Sequence, residues 1–131
     1  MSRFVKVFKA LGEPTRERII KLLSSRDLYV CELAQVLDMK QSRVSQHLRV
    51  LKEAGIVREE QQGTWTRYSL GRASLAEVLR SYIDFLESPL ETTDGFQFEA
   101  ARLKALKVNP AVTTCRVKPK PNAERGQESG S

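Results

Sequence analysis

Apolar positions in the first half of the chain recur with helical spacing. Phe4, Val7, Phe8 and Leu11 fall on one face of a helix that Gly12 ends. "EPTRERIIKLL" opens with Pro14 in a first turn, where a missing N–H costs nothing, and turns Ile19, Ile20, Leu22 and Leu23 inward. A short third helix is expected from about Val30 to Leu37, with Leu33, Val36 and Leu37 as its apolar positions, and "DMKQ" separates it from a fourth. In that fourth helix, "QSRVSQHLRVLKEAG", Val44, Leu48 and Leu51 follow i, i+4 and i+7, and Gly55 supplies the stop.

After Gly55 the period falls to about two residues. "IVREE" and "TWTRYSL" are rich in β-branched and aromatic residues and flank "QQG", the pattern of an antiparallel hairpin turning at Gly63. Trp65 and Tyr68 are expected to anchor this hairpin to the core. Helical spacing returns from Ala73 to Glu87, where Leu75, Val78, Leu79, Tyr82, Ile83 and Leu86 form a stripe broader than a small domain covers by itself. Contact with another chain follows from that surplus. Residues 96 to 107 fit one more amphipathic helix through Phe96, Leu103 and Leu106. Beyond Asn109, Pro, Lys, Gly and Ser without periodicity predict a disordered tail. The expected organisation is a domain over residues 1–88 and an extension over 89–131, partly helical and then disordered.

Helix, short helix, tight connection, helix and hairpin is the order of a winged helix-turn-helix, mainly α with a small β-hairpin. Its test is the fourth helix. At about 100° per residue, Ser42, Ser45, Gln46 and Arg49 lie opposite the apolar face. Ser, Gln and Arg offer donors and acceptors to base edges and phosphates, and Arg pairs with guanine through two hydrogen bonds. The candidate DNA-binding set is therefore Gln41, Ser42, Arg43, Ser45, Gln46 and Arg49, with Thr64 and Arg67 of the hairpin reaching backbone phosphates. His47 is expected on the flank of the helix, packed against the third helix rather than on DNA.

Charge strengthens this picture. The chain carries 22 Lys and Arg against 16 Asp and Glu, a net charge of +6, which favours a polyanionic partner. Between residues 40 and 58 the basic residues Lys40, Arg43, Arg49, Lys52 and Arg58 face a single acid, Glu53. No apolar run approaches membrane-spanning length and the N-terminus lacks a secretion h-region, so no membrane partner and a cytoplasmic location are expected. Paired carboxylates, a Gly-rich phosphate loop and a Cys with a His base are all missing from the sequence, which argues against an enzyme.

"FKALGEPTRERIIKLL", "VCELAQVLDMKQSRVSQHLRVLKEAGIV" and "GTWTRYSL" resemble the ArsR/SmtB family of bacterial metal-sensing and metalloid-sensing repressors, over about residues 3 to 87. The resemblance implies a homodimer built through the first and last helices, bound to a palindromic operator in double-stranded DNA and released by an inducer. Arsenic-sensing members carry thiols in a stretch similar to "DLYVCEL". The matching positions here are Tyr29, Cys31 and Ala34, so Cys31 alone remains. Trivalent arsenic is soft and is held by two or three thiolates, which leaves Cys115, in "VTTCRVKP", as the second candidate ligand. The implied inducer is a trivalent arsenic or antimony compound, inorganic or organic, with no permanent cofactor. Two alternatives stay open for the thiols: a redox or persulfide switch joining Cys31 to Cys115, or Cys31 as a small packed hydrophobe. The family's other metal site, of Asp and His on the last helix, is not matched: Asp84 and Glu87 are present there without a histidine.

Overall fold

The computed structural model describes residues 2–106; Cys115 and the tail expected beyond Asn109 lie outside the described residues. The first two helices begin where the sequence supplies a side-chain cap. Helix α1 (Arg3–Leu11) begins at Ser2, whose Oγ accepts the Val5 N–H at 3.1 Å. Helix α2 (Pro14–Ser25) has Pro14 in its first turn, and the Glu13 carboxylate accepts the Arg16 N–H at 2.8 Å. The strand β1 (Leu28–Tyr29) leads directly into α3 (Val30–Leu37), where Glu32 reaches back to accept the Tyr29 N–H at 2.9 Å. Asp38, at φ 54°, turns the chain out of α3.

Helix α4 (Gln41–Glu53) ends in a Schellman motif. Gly55, at φ 78°, donates to the Lys52 carbonyl and Ile56 donates to the Leu51 carbonyl, both at 2.9 Å. Leu51 and Ile56, joined by that bond, are both buried. Strands β2 (Val57–Gln62) and β3 (Trp65–Leu70) then pair from Val57 opposite Leu70 to Gln62 opposite Trp65. Only Gly63 and Thr64 make the turn, with Gly63 at φ 65°, as a two-residue hairpin requires of its first position. Gln61 and Gln62, expected in the loop, are part of the ladder.

The sheet has a third strand that periodicity did not reveal. β1 pairs antiparallel with β3, Leu28 opposite Tyr68 and Tyr29 opposite Arg67, giving the order β1-β3-β2. Two residues are too few to display a period of two, and β1 exists because the free edge of β3 recruits it. Two further expectations change. Val36 is 60% exposed, since the burial of Leu33 and Ala34 turns it to the outer side of α3. Trp65 is 55% exposed and packs on Tyr29, ring centroids 5.7 Å apart, rather than on the core.

The core consists of Val7 and Ala10 from α1, Ile19 and Leu23 from α2, Leu28 from β1, Leu33 and Ala34 from α3, Val44, Leu48 and Leu51 from α4, Ile56 and Val57 before and in β2, and Val78 from α5 (Arg72–Glu87). Tyr82 of α5 meets Phe4 and Phe8 edge to face at 5.2 and 4.9 Å. By compactness one unit runs to Asp84 and a second begins at Phe85. In the second, a single 3-10 turn (Leu90–Thr92) precedes α6 (Gln97–Leu106), and Phe85 packs on Phe96 at 5.9 Å. Helix α6 buries none of its residues; Phe98 and Leu103 are exposed.

A Cβ at Gly55 would meet nothing within 4 Å, so its substitution isolates backbone strain. Gly55→Ala is expected to lower unfolding free energy by about 1–2 kcal/mol, the cost of a left-handed non-glycine residue, measured by urea denaturation with an unchanged m-value.

Candidate nucleic-acid interface

Val44, Leu48 and Leu51 have no exposed surface, so the opposite face of α4 is forced to solvent. Gln41, Ser42, Arg43, Gln46 and Arg49 are exposed there, and Ser45 is half-buried at the edge. Among the described residues, no acid pairs with Arg43 or Arg49, whereas Lys52 on the last turn is held by Glu59 at 2.9 Å. Unpaired guanidiniums beside Ser and Gln can accept phosphate or guanine without first breaking a protein ion pair.

Polar contacts hold the helix at its middle and at its last turn. Near its middle, His47 Nδ1 lies 3.3 Å from Arg16 Nη1 and 3.8 Å from Glu13 Oε1. Arg16 also donates from Nε to the Ala10 carbonyl at 2.8 Å and from Nη2 to the Lys9 carbonyl at 3.3 Å, satisfying the open end of α1. His47 therefore packs on the α1–α2 corner and not, as its position on the helix had suggested, on α3. The Arg16 N–H holds the Glu13 carboxyl below the usual range, with the Arg16 guanidinium adding to the effect. At the far end, Glu59 of β2 accepts from Lys52 and from the Tyr68 hydroxyl, each at 2.9 Å. These two bonds lower the Glu59 pKa, Lys52 first. Burial, and then the bond to Glu59, pushes the Tyr68 hydroxyl up to about 12.

The hairpin meets the start of α4 around an open surface cavity of about 470 Å³ lined by Tyr29, Val30, Cys31, Gln41, Thr64, Trp65 and Thr66. Cys31, half-buried at the start of α3, is the free cysteine among the described residues. Thr64 stands exposed at the turn. Tyr29 donates its hydroxyl to Gln62 at 2.9 Å, which with the Trp65 stack ties the hairpin to the thiol's helix. Sequence reasoning had treated Tyr29 only as a lost thiol position; its pairing with Trp65 had no signal because β1 itself was invisible. Arg67, expected to reach a backbone phosphate, is also held within the protein. Its guanidinium is taken by the cross-strand Glu60 at 3.0 Å and by Asp27 at 3.9 Å. Among the described residues, no three of His, Cys, Asp or Glu converge on a common point.

Residues 13–59, the segment from the cap of α2 into β2, match the description "Bacterial regulatory protein, arsR family". An uncharacterized HTH-type transcriptional regulator of Methanocaldococcus jannaschii is 38% identical over 76 residues, 57% of this chain and 85% of that protein. The chain belongs to the ArsR family. The arsenical resistance operon repressor of Escherichia coli is 40% identical over 67 residues, 50% of this chain and 57% of that repressor. A solved structure described as a possible transcriptional regulator for arsenical resistance has a TM-score of 0.54 at 35% identity, over 76% of this chain and 93% of that one. The homodimeric winged helix-turn-helix DNA-binding domain of a possible ArsR-family regulator from Mycobacterium bovis has a TM-score of 0.53 at 27% identity, over 63% and 79% of the two chains.

Membership makes this ArsR-family protein a DNA-binding transcriptional repressor with a winged helix-turn-helix fold, and not an enzyme. No helix of its described residues is long and apolar enough to cross a membrane.

The bond from Tyr68 to Glu59 has a titration signature. Because the folded hydroxyl ionises near 12 rather than at 10.0, its stabilisation is fully present below pH 10 and disappears as pH climbs to 12. Among the chain's three tyrosines, ultraviolet titration should resolve one step near pH 12 that Tyr68→Phe removes. A wild-type curve complete by pH 11 would contradict the burial of this hydroxyl and its bond to Glu59.

Proposed function

We propose that the protein is a homodimeric repressor that holds a palindromic operator through α4 and the hairpin turn, and is released when a trivalent arsenic or antimony compound, inorganic or organic, bonds to Cys31. Residues 1–88 form the DNA-binding and dimerisation domain in this reading, with 89–131 an extension that brings Cys115. The carrying observation is the position of Cys31 on the wall of the cavity between Gln41, the first residue of α4, and Thr64, at the hairpin turn. Both are candidate DNA contacts. The cavity has room for the metalloid and one small organic substituent against Tyr29 and Trp65.

Gln41, Ser42, Arg43, Ser45, Gln46 and Arg49 read the major groove, with Arg43 and Arg49 free to take guanine or phosphate. Thr64 touches the adjacent backbone. Arg67 serves the interface by bracing the hairpin through Glu60 and Asp27. The homodimer rests on Leu79 and Ile83, which are 43% and 52% exposed one turn apart on α5, and on Val5 of α1, 47% exposed.

Release follows from thiol exchange. The Cys31 thiol gives its proton to a hydroxyl of arsenous acid, water leaves, and an S–As bond forms; the Cys115 thiol displaces a second hydroxyl as water. A monomethyl arsenical, with two exchangeable hydroxyls, satisfies the same two sulfurs and keeps its carbon substituent in the cavity. Occupation pushes the start of α4 and the hairpin apart, so the two halves of the interface no longer fit one groove.

With a fluorescent duplex selected by the protein from random-sequence DNA, arsenite should release the wild type and leave Cys31→Ser and Cys115→Ser bound. Release of the Cys31→Ser protein by arsenite overturns the metalloid reading, and release of wild type by oxidant or polysulfide alone replaces it with the redox switch. Independently, Arg43→Ala and Arg49→Ala should each reduce the slope of log affinity against log salt by about one if the guanidinium sits on phosphate, and cost about 1–3 kcal/mol at one base position if it sits on guanine.

A further inference from the structure

One half-buried polar node on α4 is not used by any direct contact proposed for DNA. His47 is the chain's single histidine. Its side chain keeps 16% of its exposure, on the flank of the helix that carries the candidate DNA face. We infer that Arg16, acting through His47, is a positioning residue for the recognition helix, and that protonation of His47 uncouples the two and weakens DNA binding.

The inference comes from what each atom can donate. A guanidinium has only donors, so the 3.3 Å contact from Arg16 Nη1 to His47 Nδ1 requires that nitrogen to be the acceptor, with the proton on Nε2 and the ring neutral. The same guanidinium is fixed on its other edges by the Ala10 and Lys9 carbonyls at the end of α1. Arg16 thus spans three helices: it closes α1, stands on the first turn of α2, and places a donor against α4. A proton on Nδ1 sets two donors and two positive charges face to face. The nearest acceptor for that proton is Glu13 Oε1 at 3.8 Å, but this oxygen already accepts the Arg16 N–H at 2.8 Å as the cap of α2. A carboxylate oxygen can accept both, so the cap persists; what protonation costs is the Arg16 contact to Nδ1, and that loss loosens α4 against the α1–α2 corner.

The groups around the ring are few. From α2 and its cap come Arg16 and Glu13; from α1, the two carbonyls that hold Arg16. Among the described residues, α3 and β2 place no hydrogen bond or ion pair on the imidazole. On α4 itself Arg43 stands one turn away.

The sign of the effect separates this role from its rivals. A histidine that touches phosphate, or that merely adds charge, strengthens DNA binding as pH falls. The positioning role predicts the opposite, by linkage: if the proton weakens DNA binding, DNA must oppose the proton by the same factor. His47 is the chain's single histidine, so a pH dependence that His47→Gln abolishes belongs to that side chain.

The experiment measures affinity for the selected fluorescent duplex, by anisotropy at constant ionic strength, on the full reduced chain between about pH 7 and pH 5.5. Wild type should bind about fivefold or more weakly at the acidic end, the lower range of typical coupling between two sites. His47→Gln, which keeps an acceptor but cannot titrate there, should be flat, and Arg16→Gln should be weaker at neutral pH and flat as well. Circular dichroism at each pH checks that the variants are folded. If a variant does not fold, the wild-type profile still decides. Affinity that stays level or rises as pH falls overturns the proposal, and so does a His47→Gln protein that keeps the wild-type slope.

Discussion

Burial of one face of α4 is the constraint on which the rest depends. Val44, Leu48 and Leu51 are fully enclosed, and each such side chain is worth about 1.5–3 kcal/mol relative to exposure. Rotating the helix by a single residue's angle would lift some of this apolar surface into water and press Gln or Arg toward the core without partners. The helix therefore has one orientation, and in that orientation Gln41, Ser42, Arg43, Gln46 and Arg49 face outward. The face proposed to recognise DNA is largely the complement of core packing.

Packing sets rotation about the helix axis but resists tilt and sliding less well, and the polar contacts supply what is missing. Arg16 and Glu13 meet His47 on one side, while Glu59, itself held by the Tyr68 hydroxyl, takes Lys52 at the last turn. The Schellman bonds at Gly55 then hand the chain straight into β2, so the hairpin is hung from the same helix that it assists. Recognition helix and wing consequently behave as one body. A perturbation where they meet, at the Cys31 cavity, is placed to disturb both.

Much of this was legible in the sequence wherever a period is long enough to read. The apolar spacing of α4, its polar face and the glycines at positions 55 and 63 needed no coordinates, since each rests on a local rule. The resemblance of "SRVSQHLRVLKEAGIV" to the ArsR/SmtB family pointed to the family that the comparisons then established. What escaped was non-local or too short. β1 has two residues and exists only through β3; Trp65 looks like a core aromatic until Tyr29 is seen beside it; Val36 shares the spacing of Leu33 and Leu37 yet faces water. The partners of His47 come from residues 13 and 16, a separation no periodicity reports.

The central claim is that the outward face of α4 and the hairpin turn form one DNA-binding surface. Chemical-shift mapping of isotope-labelled protein against the selected duplex tests it most directly. The account predicts that the largest shifts fall on residues 41–49 and on 63–66, with side-chain signals of Arg43 and Arg49 among the most displaced. Largest shifts on α6 or on the outer face of α2, with residues 41–49 unmoved, would contradict it.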